Sequence, residues 1–289
     1  MSHQQPSGLS ADFAVLLTQH GKESVIGPVL AEDGLLTLQH TDAFDTDTLG
    51  TFSGEIERKL SPIDCARHKA RLACELSGAS IGLGSEGSFG AGPLPGLVGW
   101  DHELLVLVDL ERDLEIVASA QGPFEVREWE ARDADELRAG LCEQDPGQGW
   151  LLQANGYLAK GLQDADALLQ AAEGLYRQVR GRALINGEAF PWPLNVQPDL
   201  RAMHCPARQA FIREAAINLR QRLLSLCPDC AAPGFWPDLM DYGLPCSACG
   251  FATGCLRQRR AVCAHCKAEA CYPVEEKFAD PGSCQICNP

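Results

Sequence analysis

The chain has 289 residues, with 24 Lys and Arg against 39 Asp and Glu, a formal net charge of -15 and 45% hydrophobic residues. That length suits more than one domain with a substantial core, and the acidity excludes general attraction to nucleic acid or an anionic membrane as the main business of the protein. The most apolar stretch, Leu104 to Leu110, is strand-sized and far short of a bilayer span.

Residues 1–11 are polar and lack the charged-then-apolar pattern of a signal peptide, so they read as a disordered tail on a cytoplasmic protein. Phe13 to Thr18 is a continuous apolar run that predicts a strand buried on both faces. A turn over Gln19 to Glu23 leads into a helix carrying Val25, Ile26, Val29 and Leu30, with Pro28 predicting an early end. Leu35 to Leu38 predicts a second strand, and the Thr-, Asp- and Gly-rich residues 41–60 a loop. Ser61-Pro62-Ile63-Asp64 has the cap, the first-position proline and the early acid of a helix start, and Gly78 marks the stop. Ala79 to Gly84 predicts a strand ending in a glycine-rich turn, Ser85 to Gly90. Two more strands follow, Glu103–Leu110 and Leu114–Ser119, and Gly147 to Ala154 holds another. Asp164 to Val179 is an amphipathic helix, 186–198 reads as loop, and Pro206 opens a further helix with a stripe from Ile212 to Leu226. The alternation predicts an α/β domain over 12–200, built on a mixed sheet with flanking helices, then a connecting helix over 201–226.

Residues 227–289 are governed by cysteine. Cys227-x-x-Cys230 and Cys246-x-x-Cys249 stand fifteen residues apart, and Cys263-x-x-Cys266 and Cys284-x-x-Cys287 seventeen. This is zinc-ribbon spacing used twice, and it predicts two structural Zn²⁺ sites in tandem ribbons. Reducing surroundings argue against disulfides, and four regularly alternating CxxC pairs argue against a single redox dithiol. Cys255 and Cys271 read as spares, with His265 an occasional substitute ligand. Four thiolates leave no open coordination position, so these sites build structure and activate no water. Ribbons of this kind present surface to a protein or a nucleic acid, and Arg257, Arg259 and Arg260 form the one compact basic cluster there, more readily a solvated face.

Chemistry must come from the first two hundred residues. Lys22 in the first helical turn after a buried strand suits a phosphate contact, with an ordinary strand-to-helix turn carrying a surface lysine an equal reading. Glu86, flanked by glycine, sits at a predicted strand end, where α/β sheets keep their sites. The acids Asp42, Asp45, Asp47, Glu55, Glu57 and Asp64 are dense enough to suit Mg²⁺, although Asp42, Asp45 and Asp47 read better as solvated surface. Lys160-Gly161 is a second phosphate contact by pattern, with a plain surface lysine the preferred reading. An Asp199–Arg201 pair reads as a cap for the long helix.

Ser61-Pro62-Ile63-Asp64-Cys65-Ala66-Arg67-His68-Lys69-Ala70 resembles the helix-start motif of the inosine-triphosphatase-type nucleoside triphosphate pyrophosphatases. Thr18 to Lys22 resembles their first loop, and Leu83-Gly84-Ser85-Glu86-Gly87 their acidic strand end. The resemblance implies an inosine-triphosphatase-like fold and Mg²⁺-dependent release of pyrophosphate from a nucleotide. It places Thr18, Lys22 and Lys69 at the triphosphate and makes Asp64 and Glu86 the catalytic carboxylates. His20-Gly21-Lys22-Glu23, Gly54 to Arg58, Ser85 to Gly90 and the twin cysteine pairs together also resemble an uncharacterised bacterial family. Two other readings stay open: a non-catalytic protein whose ribbons bind a partner, and a sensor that binds nucleotide without turnover.

Overall fold

The computed structural model describes residues 8–49, 59–92, 98–125, 127–154, 157–180 and 192–289. The motif Gly54 to Arg58, with Glu55 and Glu57, lies outside them. The first sheet is built from β1 (Phe13–Leu17), β2 (Thr37–Thr41), β3 (Ile81–Ala91), β4 (Gly99–Asp109) and β5 (Leu114–Pro123), in the order β2-β1-β3-β4-β5. β1 is parallel to both β2 and β3, and β3, β4 and β5 run antiparallel. The sheet is therefore mixed, as the sequence predicts. α1 (Glu23–Ala31) links β1 to β2, and α2 (Pro62–Ser77) carries the chain back across β1 to β3. The strand order reverses there, which makes the carboxyl ends of β1 and β3 a topological switch point, the usual place for a ligand in an open α/β sheet.

Side chains alternate across the sheet. Ala14, Leu16, Ile81, Leu83, Leu105 and Leu107 join one core with α1 and with α5 (Pro206–Leu224). Val15, Leu17, Val106 and Val108 face α2. α2 begins and ends where its local signals say. The Ser61 side chain accepts from the Asp64 N–H, Pro62 opens the helix, and Gly78 closes it in a left-handed conformation at φ 74°.

β3 differs from expectation. The glycine-rich segment Ser85 to Gly90 is not a turn but strand, paired with β4 along its whole length. Its glycines serve packing: a Cβ at Gly82 or Gly84 would collide with the Ala70 or Ala66 carbonyl of α2. Ala66, Ala70 and Ala73 let the helix lie directly on that bare strand. Gly84→Ala is therefore expected to destabilise the protein by about 3 kcal/mol or more through forced separation of the two elements. Urea unfolding read by circular dichroism measures this, and an effect below about 0.5 kcal/mol contradicts the close approach.

The predicted single domain over 12–200 holds a second, smaller sheet, ordered β6-β9-β7-β8. Its strands are β6 (Trp129–Ala131), β7 (Trp150–Ala154), β8 (Tyr157–Leu162) and β9 (Leu194–Pro198), packed with α3 (Ala134–Cys142) and α4 (Ala165–Arg180) around Trp150, Leu152, Leu168 and Val196. Nor do Gly8 to Ala11 belong to a tail. Leu9 is in the main core, and Ser10 donates its N–H and its Oγ hydrogen to the Asp109 carboxylate at 2.8 and 2.7 Å. α5 is more than a connector, since Ile212, Ala215, Ala216, Leu219 and Leu223 complete the first core.

The C-terminal module is a meander of β10 (Leu239–Tyr242), β11 (Leu256–Val262) and β12 (Glu269–Pro273). No described helix is long and apolar enough to cross a membrane.

Candidate functional site

At the switch point, the chain leaves β1 through Thr18, whose Oγ1 accepts the His20 N–H at 3.3 Å, and turns at Gly21 (φ 70°) into α1. This swings Lys22 inward at the helix start. Its ammonium donates to Ser85 Oγ at 2.8 Å and lies 3.4 Å from Glu103 Oε2. From α5 the fully buried Arg208 donates Nε–H to Glu103 Oε1 and Nη1–H to the Leu200 carbonyl at 2.7 Å, with its guanidinium 5.7 Å from the centre of the Phe89 ring. Only glycine fits opposite Glu103 on β3: a Cβ at Gly87 would collide with both the Arg208 guanidinium and the Glu103 carboxylate. On the α2 side of β3, Lys69 is paired with Glu86 Oε1, to which the Cys65 thiol also donates at 2.9 Å.

These groups set one another's protonation. Burial pulls the Lys22 ammonium down to about 8, opposed mainly by Glu103. Burial pushes the Glu86 carboxyl up, but Lys69, Lys22 and the Cys65 thiol outweigh it and hold the group below the ordinary range. Asp101, two residues before Glu103 and on the same face of β4, is fully buried, and among the described residues neither of its oxygens has a hydrogen-bond donor in good geometry. Burial and the neighbouring Glu103 push its carboxyl up to about 7, with Arg208 and Lys22 pulling back.

The structure thus brings Thr18, Lys22, Lys69 and Glu86 to the carboxyl end of β1, but Glu86 stands in the middle of β3 and not at the strand end that the sequence suggests, because β3 runs on to Ala91 against β4. Asp64 is not among them. It is exposed on the other flank of α2, bonded to Ser61 and to Arg67, and Arg67 reaches on to Glu115 at 2.8 Å. Its place near Lys69 in sequence is misleading, because positions 64 and 69 fall on different faces of a helix. Lys160 sits apart, on β8 of the second sheet. Asp199 does not cap α5. Its buried carboxylate accepts the Gly161 N–H at 3.0 Å and the Arg201 guanidinium at 2.6 Å, and so ties β8 to the segment ahead of α5. Asp101, Glu103 and Arg208 were missed. The signal was a charged pair at i and i+2 running into the apolar face of a buried strand.

The eight predicted cysteines form two groups of four, but not as tandem ribbons. Cys227, Cys230, Cys263 and Cys266 make one group, and Cys246, Cys249, Cys284 and Cys287 the other. The antiparallel meander forces this alternation. The first knuckle precedes β10 and the third follows β11, so they meet at one end of the sheet. The second follows β10 and meets the fourth at the opposite end. Sulfur separations across the knuckles are 3.6 Å twice in the first group, and 3.9 and 3.7 Å in the second. Zn–S bonds of about 2.3 Å in a tetrahedron put sulfurs about 3.8 Å apart, so the geometry fits zinc. Three knuckles place the residue after the second cysteine at positive φ: Ala231 (59°), Gly250 (74°) and Lys267 (65°). Cys255, Cys271 and His265 stand outside both groups.

A family model described as a domain of unknown function (DUF6671) matches residues 184–289, a segment that takes in β9, α5 with Arg208, and the whole cysteine module. Comparison with curated proteins and with solved structures finds no match.

Proposed function

We propose that the first sheet binds a nucleoside triphosphate at the carboxyl ends of β1 and β3 and hydrolyses it between the α- and β-phosphates with Mg²⁺. The observation that carries this reading is the placement of two lysines just beyond the end of β1, Lys22 from the start of α1 on Ser85 and Lys69 from α2 on Glu86, one on each face of β3. A polyphosphate entering there competes with the carboxylates for both ammonium groups, at the positive end of the α1 dipole. Glu86, released from Lys69, is then the base that takes a proton from the attacking water, and the products are a nucleoside monophosphate and pyrophosphate.

The donor chemistry fits Mg²⁺. Glu86, Glu103 and Asp101 offer hard carboxylate oxygens, yet among the described residues no three acids or histidines close on one point. Such an ion would be held by one or two of these carboxylates together with the substrate phosphates, as Mg²⁺ usually is at nucleotide sites. When bound, it neutralises phosphate charge and lowers the pKa of water. The cysteine module supplies structure, through two zinc ions with closed shells.

The test is a panel of natural and deaminated nucleoside triphosphates with Mg²⁺, assayed for pyrophosphate. Turnover of at least one, lowered about 100-fold or more by Glu86→Gln and left within about twofold by Asp64→Asn, is expected. Absence of product with every nucleotide, or full activity in Glu86→Gln, overturns the reading.

A further inference from the structure

The cysteine module carries a second candidate surface, on the face of its sheet turned away from its ion pairs. Residues directly opposite in an antiparallel sheet share a face. On one face of the meander, Arg260 is clasped between Asp241 at 2.8 Å and Glu269 at 3.1 Å, with Gln258 also donating to Asp241. On the other face, Met240, Arg259 and Tyr272 form a row straight across the three strands. Tyr242 joins them, its hydroxyl donating to the Met240 sulfur. All four side chains are exposed, Tyr242 at 60% and Tyr272 at 46%. Among the described residues neither Arg259 nor Arg257 makes a close salt bridge, although the Arg257 charge bears on Asp241. Arg257 turns to an adjoining groove of about 450 Å³, lined also by Lys277, Glu276 and Val274.

The sheet therefore sorts its charges. Its acids are neutralised on one side, while the other holds Arg259 between Met240 and Tyr272, with Tyr242 beside Met240, a positive charge among exposed rings on a chain of net charge -15. A purely apolar docking face has no use for an arginine in the middle of its row, and an acidic peptide has no use for two exposed aromatic planes. Both features suit one kind of ligand, a strand with a phosphate backbone and unpaired flat bases. Stacking on Tyr and Arg planes and phosphate contacts from Arg are how such strands are held without groove readout.

We propose that this face of the cysteine module binds single-stranded nucleic acid, with Tyr272 and Tyr242 stacking on bases and Arg259 and Arg257 meeting phosphates. The zinc-loaded full chain is titrated into fluorescein-labelled oligothymidylate and oligouridylate, with a duplex and a labelled oligoglutamate alongside, and anisotropy is read at several salt concentrations. Saturable binding of a single strand is expected, stronger than that of the duplex. Tyr272→Ala should weaken it about five- to a hundredfold, and Arg259→Gln should reduce the salt slope by about 0.7. Zinc content measured on each variant confirms that the module is intact. No binding at about 0.1 mM protein in low salt overturns the proposal. So does equal affinity for the duplex, binding that survives both substitutions, or capture of the oligoglutamate alone, which marks a surface for an acidic protein.

Discussion

Replacing Cys227 and Cys263 together by serine is expected to remove one zinc ion per chain and leave the other in place. The two cysteines belong to one cluster, so one tetrahedron loses two thiolates while Cys246, Cys249, Cys284 and Cys287 keep theirs. Replacing Cys227 and Cys246 should instead damage both clusters. Tandem ribbons require the reverse outcome for each pair, so native mass spectrometry of the purified variants distinguishes the two pairings outright. The clusters should also differ in their effect on stability. A structural zinc supplies on the order of 10 kcal/mol of folding free energy to a small module. The first cluster lies against the main sheet: a Cβ at Gly234 would meet Ile116 of β5 at 3.1 Å, and the Phe235 N–H and the Gly234 N–H bond to the Ser225 and Arg222 carbonyls at the end of α5. Arg222 in turn holds Asp238 through both terminal nitrogens at 2.6 and 2.7 Å. Loss of the first cluster should therefore lower the thermal midpoint of the α/β core, read by tryptophan fluorescence, by several degrees. Loss of the second should unfold only its own end of the meander. Equal shifts for the two variants would mean that the module and the sheet are not joined through α5.

What the sequence discloses and what it conceals divide along physical lines. Local signals were legible. Ser61, Pro62 and Gly78 define α2 without reference to any other part of the chain, because a cap is satisfied within one turn. Asp133 and Glu136 give α3 the same kind of start, the Asp133 carboxylate accepting two N–H groups and Glu136 accepting the Arg132 N–H, and this signal went unread. Tertiary causes were not legible. Gly87 looks like part of a turn until Arg208 and Glu103 are packed against it, since nothing local distinguishes a glycine chosen for φ from one chosen for the absence of a Cβ. Cysteine spacing identifies the eight ligands because a knuckle is local, yet the grouping of knuckles depends on strand direction. The same limit governs the candidate site. Lys22, Lys69 and Glu86 could be proposed from motif order. Arg208 reaches Glu103 across more than a hundred residues of chain, and only the packing of α5 on β4 and β5 brings them together.

Two carboxylates on one strand are expected to respond to neutralisation with opposite signs. Glu103 is the shared acceptor of Arg208 and Lys22, and all three are buried. Glu103→Gln leaves two buried cations facing an uncharged amide, a loss of about 3–5 kcal/mol by the usual cost of breaking a buried ion pair. Among the described residues Asp101 has no such partner, and its carboxyl is pushed up to about 7 against an ordinary value of 3.8. Between those two pH values the unfolded chain gives up the proton and the folded chain keeps it, so stability falls as pH rises through this window and the full cost is present above it. Asp101→Asn should therefore stabilise the protein by on the order of 2 kcal/mol at pH 8, with the gain shrinking as pH is lowered toward 4. Urea unfolding of both variants at pH 5 and pH 8 tests this, and a gain for Asp101→Asn that is the same at both pH values refutes the assignment. Burying Lys22, Glu103 and Arg208 rather than three apolar side chains brings no stability by itself, because desolvation offsets the attraction. The triple replacement Lys22→Met, Glu103→Leu, Arg208→Met should accordingly fold with stability close to that of the parent chain, and should abolish nucleotide turnover. That pairing of results separates charges retained for chemistry from charges retained for structure. A collapse in stability on making all three changes would place this network with the scaffold instead.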